Sequence, residues 1–322
     1  MSKTILVTGA AGFLGSHLSE ALLTKGCRVI GVDNFDLFYS KEIKSRNLAS
    51  LVTHSNFRFE ELDIREIQRL DVQNEKIDLV IHIAAKAGVL PSVKDPQEYI
   101  SVNIMGTSHI LEFMKEKGIK KYIFASSSSI YGNSKQIPFS EEQDVNEPIS
   151  PYAFTKRSGE LMNYTYHHLY KIDCLNLRLF TLYGPRQRPD LSIHKFIKLI
   201  QSNEGIDMYG DGSTARDYTH VRDVVNGFVL ATEYLYSHEG VYEIVNIGNN
   251  SPVRLRKMIG LLFELCEKPE RINQMATQLG DVEITYASIE KAKRLLGYSP
   301  EVSFEDGLAD FVRWYNFSML QV

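Results

Sequence analysis

The chain has few cysteines, no block of basic residues and no long apolar run. Its three cysteines, Cys27, Cys174 and Cys266, are odd in number and far apart, which argues against a disulfide framework and against a zinc-binding spacing. No run approaches the roughly 18 apolar residues of a membrane-spanning helix, and no charged leader precedes the first apolar run. The net charge of −4 gives no general attraction for polyanions. We therefore expect a cytoplasmic protein that binds neither nucleic acid nor membrane.

Short apolar runs alternate with helix-like segments over the first half of the chain. The alternation predicts an α/β fold, a doubly wound parallel sheet with its ligands at the carboxyl ends of the strands. The predicted strands are Thr4–Val7, Arg28–Val32, Phe57–Glu61, Asp78–Ile83, Lys121–Ala125 and Cys174–Leu179.

The pattern becomes irregular after Leu179 and mixes short strands with helices. This change predicts a smaller mixed α/β lobe that binds the substrate. A further strand, Tyr242–Asn246, is expected to return to the first sheet. We therefore predict one domain from residues 1–180 plus about 217–250, and a second lobe from residues 181–216 plus about 251–322.

A glycine turn joins the first strand to the first predicted helix, Phe13–Lys25. Gly9, Gly12 and Gly15 follow the spacing G-x-x-G-x-x-G. Glycines let a pyrophosphate approach the free N–H groups at the helix start, where Phe13 and Leu14 lie, and let helix and strand pack closely. Alone, the pattern also fits an ordinary tight turn.

An acidic residue at the end of the second strand completes a dinucleotide pattern. Asp33 follows Gly15 by eighteen residues, at the position where a carboxylate binds a ribose diol. A carboxylate there repels the 2′-phosphate of NADP, and Asn34, Phe35 and Asp36 supply no arginine to offset it. The sequence therefore favours NAD over NADP.

A tyrosine and a lysine four residues apart form the candidate catalytic pair. Pro151 predicts a helix start, so Tyr152 and Lys156 would share one helix face. A neighbouring ammonium and a positive nicotinamide ring would lower the pKa of the phenol from about 10 towards neutrality. Tyr152 would then take a proton from a sugar hydroxyl. A bare pair at this spacing also fits a helix surface.

Four serines, Ser126–Ser129, end the strand that begins at Lys121. A hydroxyl at that strand end can bridge the tyrosine and a substrate oxygen. The residues alone leave open which serine does so, and a polar turn without function remains the alternative. No glycine elbow surrounds these serines, which disfavours a nucleophilic serine.

Together these motifs, with His82-Ile83-Ala84-Ala85 and Arg216-Asp217-Tyr218, resemble the extended short-chain dehydrogenase/reductases that modify nucleotide sugars. The resemblance implies a Rossmann domain with bound NAD, and Ser127 with Tyr152 as the hydrogen-bonding and proton-transfer pair. It implies cofactor contacts from the following residues: Asn34, Asp63, Ile64, Ala84, Ala85, Lys86, Asn103, Tyr152 and Lys156.

Within that family, the two residues after the catalytic serine distinguish reactions. Dehydratases are expected to carry Asp-Glu there, and uronate decarboxylases a glutamate at the second position, whereas this chain has Ser128-Ser129. The resemblance therefore favours 4-epimerisation, in which C4 gives up a hydride, the keto sugar rotates, and the hydride returns to its other face.

Residues 180–190 are similar to those of UDP-glucuronate 4-epimerases. The similarity implies that Thr181 contacts the sugar and that Arg188, or else Arg186, faces a carboxylate. The family resemblance further implies that Arg216 contacts the UDP phosphates. It also implies that Gln278–Asp281 lies near the uridine, and Gln278 stands where many galactose-type epimerases have arginine. Leu90 departs from the pattern, since uronate enzymes often have arginine at that position.

The leading hypothesis is an NAD-dependent UDP-sugar 4-epimerase that acts on UDP-glucuronate. A 4-epimerase of UDP-glucose or UDP-N-acetylglucosamine is the alternative in the same class, and a non-catalytic NAD-binding sensor is the alternative in another class. The resemblance also implies a homodimer that pairs through helices at about residues 96–117 and 152–171.

Overall fold

The computed structural model describes residues 3–73, 75–276 and 283–319, and within them a seven-stranded parallel sheet forms the centre. The strands are β1 (Thr4–Thr8), β2 (Arg28–Asp33), β3 (Phe57–Glu61), β4 (Leu79–His82), β5 (Lys121–Ser127), β6 (Asp173–Leu179), β7 (Thr181–Tyr183), β8 (Ile206–Tyr209), β9 (Ala215–His220), β10 (Tyr242–Ile247), β11 (Pro252–Arg254) and β12 (Ile272–Met275). The central sheet has the order β10-β6-β5-β4-β1-β2-β3. This confirms the predicted doubly wound α/β fold and the return of the Tyr242 strand.

Eleven α-helices lie within the described residues, on both faces of the central sheet and beside it. They are α1 (Phe13–Thr24), α2 (Lys41–Leu48), α3 (Val89–Lys94), α4 (Pro96–Tyr99), α5 (Gly106–Lys117), α6 (Pro151–Tyr170), α7 (Ser192–Gln201), α8 (Val221–Ser237), α9 (Leu255–Leu265), α10 (Glu290–Leu296) and α11 (Phe304–Met319). A π-helical turn, Ile100–Met105, joins α4 to α5, and 3-10 turns lie at Ile64–Arg69 and Ser128–Tyr131.

The strands are buried on both faces because successive side chains point to opposite sides. Ile5 and Val7 pack with α1, α8 and α10, whereas Leu6 packs with α5 on the other face. This double burial explains why β1 is a continuous apolar run rather than an alternating one.

A third apolar cluster lies apart from these two, among α7, α9 and α11. It surrounds Tyr183 at the end of β7 and Tyr218 in β9. Strand β9 pairs with β7 and with β11, and β8 pairs with β12. The cluster thus supports strands that leave the central sheet after β6.

The start of α6 places the candidate tyrosine. Ser150 caps the helix by accepting a hydrogen bond from the Ala153 N–H at 3.1 Å, and Pro151 occupies the first turn. Tyr152 therefore lies in the first turn of a helix whose entry is fixed by its cap. The helix start predicted from Pro151 is confirmed.

Gly15 is required by the packing of α1 on the glycine turn. A Cβ at this position would lie 2.0 Å from the Gly9 carbonyl oxygen. We expect Gly15→Ala to lower the free energy of unfolding by about 3 kcal/mol, because backbone atoms must move to admit the methyl group. Urea denaturation measures the change.

Gly260→Ala is the matched control, since Gly260 also lies within a helix but its Cβ would meet nothing closer than 3.4 Å. There the higher helix propensity of alanine is expected to stabilise the protein by about 0.5–1 kcal/mol. Equal unfolding midpoints for the two variants would contradict the packing argument.

Candidate active site

A cleft of about 690 Å³ opens at the carboxyl ends of the central strands. The residues at these ends include Gly9 after β1, Asp33 in β2, Asp63 after β3, Ile83 after β4 and Ser127 in β5. The cleft continues past β6 to Phe180, Thr181, Leu182, Arg188, Leu191, Arg216 and Thr285. It therefore joins the predicted cofactor residues to most of the predicted sugar residues.

The glycine turn forms one end of the cleft. The Gly9 N–H donates to the Val32 carbonyl at 2.7 Å, and Gly9 has a φ of +75°, in the left-handed region that favours glycine. Gly12 then precedes Phe13 and Leu14 at the start of α1, and all of them line the cleft. The first N–H groups of that helix give this end an affinity for anions.

Asp33 lies beside the turn and is buried. Its carboxylate accepts hydrogen bonds from the Ala11 N–H at 3.2 Å and the Phe35 N–H at 2.8 Å. Burial raises the pKa of Asp33, against the lowering effects of Lys44 and of these two hydrogen bonds. The Lys44 ammonium, 3.9 Å from Asp33, lines the cleft as well and was missed by the sequence analysis because α2 brings it back from eleven residues downstream.

Asp63 and Ile64 line the cleft next to Asn34. The Asn34 amide donates to Asp63 at 2.8 Å, and Arg65 makes an ion pair with the same carboxylate at 2.8 Å. Burial acts to raise the pKa of Asp63, but the hydrogen bonds from Arg65 and Asn34 outweigh it and the pKa is lowered. The site thus holds a charged, oriented carboxylate.

Tyr152, Ser127 and Lys156 meet where β5 faces the start of α6. Tyr152 and Ser127 both line the cleft, and Ser127 is close enough to act against the rise in the pKa of the Tyr152 phenol. The Lys156 ammonium donates to the Ala125 carbonyl at 2.7 Å and lies 6.0 Å from the centre of the Tyr152 ring. The predicted trio is therefore brought together.

The pKa values of this trio differ from the sequence expectation. Burial raises the pKa of Tyr152, and the Ser127 hydroxyl and the charge of Arg188 only partly offset it. Burial also lowers the pKa of Lys156 to about 7. The sequence analysis expected the pKa of the Tyr152 phenol to be lowered. In the protein without a bound cofactor this expectation is wrong, because desolvation outweighs the nearby charges.

Asn103 is buried next to the cleft and holds the backbone of one cleft-lining residue, Lys86. Its amide oxygen accepts from the Lys86 N–H at 2.8 Å, and its amide nitrogen donates to the Lys86 carbonyl and to the Thr155 hydroxyl, each at 3.0 Å. Asn103 is buried and is not one of the cleft-lining residues, whereas Ala84, Ala85 and Lys86 are. It ties the loop after β4 to the tyrosine helix.

A buried ion pair fixes the serine turn. Glu160 and Arg178 are about 0% and 1% exposed and lie 2.9 Å apart. The Ser126 hydroxyl donates to Glu160 at 2.7 Å, and Arg178 donates to the Tyr131 hydroxyl at 3.0 Å. Glu160 lies one turn beyond Lys156 in α6, so this network links the tyrosine helix to both ends of the segment that contains Ser127.

The sugar half of the cleft contains Arg188. Its guanidinium pairs with Asp190 at 2.9 Å and lies 4.9 Å from the centre of the Phe38 ring. Thr181, Ser128, Ser129 and Arg216 also line this half. The hydroxyls of Ser129 and Tyr39 are buried and have no hydrogen-bond partner among the described residues. Such groups fit a ligand that completes their hydrogen bonding.

Two predicted substrate residues have a different outcome. Arg186 lies outside the cleft, where it pairs with Glu20 of α1 at 2.8 Å, so it does not face a bound sugar. The reason is its position two residues before Arg188 in a turn, which directs the two side chains to different surfaces. Asp281 and the neighbouring Gln278 lie outside the described residues.

The family model described as GDP-mannose 4,6 dehydratase matches residues 6–311 of the chain. UDP-glucuronate 4-epimerase of Thermodesulfobacterium geofontis is 42% identical over 312 residues, covering 96% of this chain and 95% of the relative. The chain belongs to this family of nucleotide-sugar-modifying short-chain dehydrogenase/reductases. The resemblance found in the sequence is confirmed.

Solved structures of family members superpose over the whole chain. UDP-glucuronic acid 4-epimerase of Bacillus cereus, in complex with UDP-glucuronic acid and NAD, has a TM-score of 0.90 and 38% identity, covering 98% of this chain and 99% of its own. UDP-glucose 4-epimerase of Thermotoga maritima, with UDP-glucose, has a TM-score of 0.88 and 32% identity, with coverage of 98% and 99%.

Within the described residues there is no group of His, Cys, Asp and Glu that could hold a metal ion, and no helix long and apolar enough to cross a membrane. His82, buried between the hydroxyls of Thr8 and Thr107, has its pKa lowered by burial to about 3. It is a neutral core residue of this family member rather than an acid or base.

Lys156 makes stability depend on pH. Its pKa is about 7 in the folded protein and near the ordinary 10.5 when unfolded, so between these values the unfolded chain binds the additional proton. Stability from this group therefore rises as pH rises from 7 to 10.5. We expect Lys156→Met to abolish this rise, worth up to about 5 kcal/mol at roughly 1.4 kcal/mol per pKa unit.

Urea denaturation of nucleotide-free protein across this pH range measures the difference between the wild type and the variant. Lys25→Met, which removes an exposed lysine, is the matched control. A constant difference between wild type and Lys156→Met at every pH would contradict the buried state of this ammonium.

Proposed function

We propose that the protein is an NAD-dependent UDP-sugar 4-epimerase that interconverts UDP-glucuronate and UDP-galacturonate. The observation that carries the proposal is the presence of Arg188 in the same cleft as the Ser127–Tyr152 pair, close enough for its charge to lower the pKa of Tyr152. A cation near the proton-transfer group suits a substrate that has a carboxylate beside the reacting carbon.

The cleft fits NAD at its glycine end. A Cβ at Gly9 would lie 2.9 Å from the Ala84 nitrogen, so this position accepts no side chain and the turn stays open to a pyrophosphate. Asp33 would hold the adenosine ribose, and Asp63 with Ile64 the adenine. When bound, NAD supplies a ring that accepts a hydride from C4 of the sugar and returns it.

Tyr152 moves the proton of the C4 hydroxyl. The Ser127 hydroxyl lies beside its phenol, where it can donate a hydrogen bond to the same sugar oxygen. Because burial raises the pKa of Tyr152, the phenolate is favoured only when positive charge gathers around it. Arg188 supplies part of that charge from the protein. The Lys156 side chain, 6.0 Å from the centre of the Tyr152 ring, adds to it when it is protonated.

Arg188 restrains the sugar carboxylate. Its pairing with Asp190 uses the Nε and one Nη nitrogen, and a guanidinium offers five N–H donors in all. A charge-assisted bond to the substrate carboxylate is therefore available. The restraint matters because a 4-keto uronate is a β-keto acid, which loses carbon dioxide when its carboxyl group aligns with the ketone.

The sugar half of the cleft has no carboxyl group among its described lining residues to assist elimination. The described lining residues between positions 127 and 152 and between 179 and 191 include no aspartate or glutamate. Ser128 and Ser129 stand where a dehydratase would carry its carboxyl groups. Without a proton donor of that kind the leaving hydroxyl is poorly served, and epimerisation needs none.

A neutral UDP-sugar is the second candidate substrate. Leu90 lines the cleft with a side chain 70% exposed and offers no charge to a carboxylate. The likeness to the UDP-glucose 4-epimerase of Thermotoga maritima supports this candidate too. A non-catalytic sensor is less well supported, because Tyr152, Lys156 and Ser127 are intact and in contact.

Arg188→Ala separates the two substrates. We expect it to raise KM for UDP-glucuronate by roughly ten- to a hundredfold, since a hydrogen bond to a charged group is lost, and to leave the affinity for UDP unchanged. NMR of NAD-loaded protein with UDP-glucuronate measures formation of the 4-epimer.

Arg313→Ala is the matched control, because it removes an arginine of α11 whose side chain is 73% exposed.

Tyr152→Phe is expected to lower kcat by at least about a hundredfold. Conversion of UDP-glucose or UDP-N-acetylglucosamine with none of UDP-glucuronate would refute the uronate assignment. Equal activity of Tyr152→Phe and wild type would favour the sensor.

The two parts of the chain divide this work. We assign NAD binding to residues 1–180 plus about 217–250, and UDP-sugar binding to residues 181–216 plus about 251–322. The protein acts in the cytoplasm on a soluble nucleotide sugar and needs no nucleic acid or membrane partner.

A homodimer would pair α5 and α6 with their copies. Exposed apolar side chains on this surface support the pairing: Met105, Phe154, Leu161, Tyr164 and Leu169 are between 45% and 58% exposed. Exposed apolar side chains grouped in this way are typical of a protein–protein interface.

Leu161→Arg is therefore expected to yield a monomer, because an arginine on each copy would meet its like across the interface. Light scattering at several concentrations measures the mass. Phe317→Arg, at an exposed apolar position on α11, is the matched control. A wild-type monomer at all concentrations would contradict the pairing.

A further inference from the structure

The turn between β7 and α7 carries Arg188 into the cleft. It begins at Gly184, where a Cβ would lie 2.9 Å from the His220 ring, and closes with a hydrogen bond from the Gln187 N–H to the Gly184 carbonyl at 3.1 Å. Arg186, in the middle, has a φ of +66°. A residue with a side chain adopts this left-handed conformation only where its surroundings impose it.

One turn of α1 imposes it. The Arg186 guanidinium donates to Glu20 at 2.8 Å and to the Ser16 hydroxyl at 3.3 Å. The His17 ring nitrogen lies 2.9 Å from the Pro185 carbonyl oxygen. The same helix therefore holds both the side chain of Arg186 and the backbone before it.

The far side of the turn is held as well. The Gln187 amide donates to the Leu182 carbonyl at 2.9 Å, and the His194 ring lies 2.7 Å from the Gln187 carbonyl. Arg188 follows at once with its guanidinium against Phe38 and Asp190 in the cleft. The direction of Arg188 is thus set by a turn whose outer arginine is anchored to α1.

We propose that Arg186 is a positioning residue, which with Glu20 and Ser16 clamps this turn to α1 and so aims Arg188 at the carboxylate of the sugar. The inference rests on the proposed binding of that carboxylate by Arg188. Arg186 itself touches no substrate. It acts by removing the freedom that Arg188 would otherwise have to swing with its loop.

A loosened Arg188 has a defined chemical consequence. After C4 is oxidised, a carboxylate free to align with the ketone departs as carbon dioxide. The C5–C6 bond breaks, its electron pair forms the C4–C5 enolate, and a solvent proton adds to C5. Each such event gives one UDP-4-keto-pentose and leaves one NAD reduced, so epimer formation and decarboxylation compete for the same keto sugar.

The test uses the NAD-loaded enzyme with Arg186→Gly and Glu20→Gln. Glycine keeps the left-handed turn and removes the clamp, whereas glutamine keeps the size of Glu20 and removes its charge. We expect KM for UDP-glucuronate to rise roughly tenfold, the inhibition constant of UDP to stay unchanged, and UDP-4-keto-pentose to appear in the mass spectrum with accumulating reduced cofactor.

The charge-reversed pair Glu20→Arg with Arg186→Glu is expected to regain at least part of the wild-type KM, which loss of a merely structural arginine would not predict. Lys25→Ala, which breaks an ion pair with Glu233 at the end of α1, is the matched control. Suppose that Arg186→Gly and Glu20→Gln fold, keep the wild-type KM and form no keto-pentose, while Arg188→Ala raises KM for UDP-glucuronate. That result would overturn the clamp alone. If Arg188→Ala leaves KM for UDP-glucuronate unchanged, both the carboxylate site and the clamp are overturned.

Discussion

The buried ion pair between Glu160 and Arg178 is the interaction on which the catalytic geometry depends. Two charges with almost no exposure are tolerated because hydrogen bonds from Ser126 and to Tyr131 satisfy the remaining polar atoms. The pair spans α6 and β6, so it fixes the helix of Tyr152 relative to the strands beside it. Removing one partner would leave a buried charge, at a cost of about 3–5 kcal/mol. The proton-transfer pair is therefore held by a network that never touches the sugar.

Helix α1 connects the two ends of the reaction. Its first turn follows Gly12 and offers N–H groups to the cofactor, while its next turn binds the loop that carries Arg188. A rigid helix transmits position over this distance better than a loop does, since its backbone hydrogen bonds are internal. In the proposed function, one helix therefore helps to position both the bound cofactor and the arginine that binds the sugar carboxylate.

The strands and the motifs at their ends were predictable because each depends on residues close together in the sequence. An apolar run marks a buried strand, and the residues that follow it line the cleft, as Asp33 and Ser127 do. The supports were not predictable, because their partners are distant: Asn103 binds Thr155 across 52 residues. The sequence left Arg186 open as the alternative to Arg188 for the same reason, since its partner Glu20 lies 166 residues away. Local pattern finds the reacting groups, and long-range packing decides where each one points.

The family contains both dehydratases and epimerases on one fold, so the reaction must be decided by few side chains in the cleft. In the proposed reaction C4 is oxidised first, and the 4-keto uronate that results can lose a hydroxyl, lose its carboxyl group or be reduced again. Ser128 and Ser129 provide no carboxyl group to assist the first path. In the proposed function, Arg188 opposes the second by holding the carboxylate away from the ketone. Because elimination and decarboxylation are both hindered, the keto sugar is reduced again by return of the hydride. Rotation of the sugar before that return inverts C4.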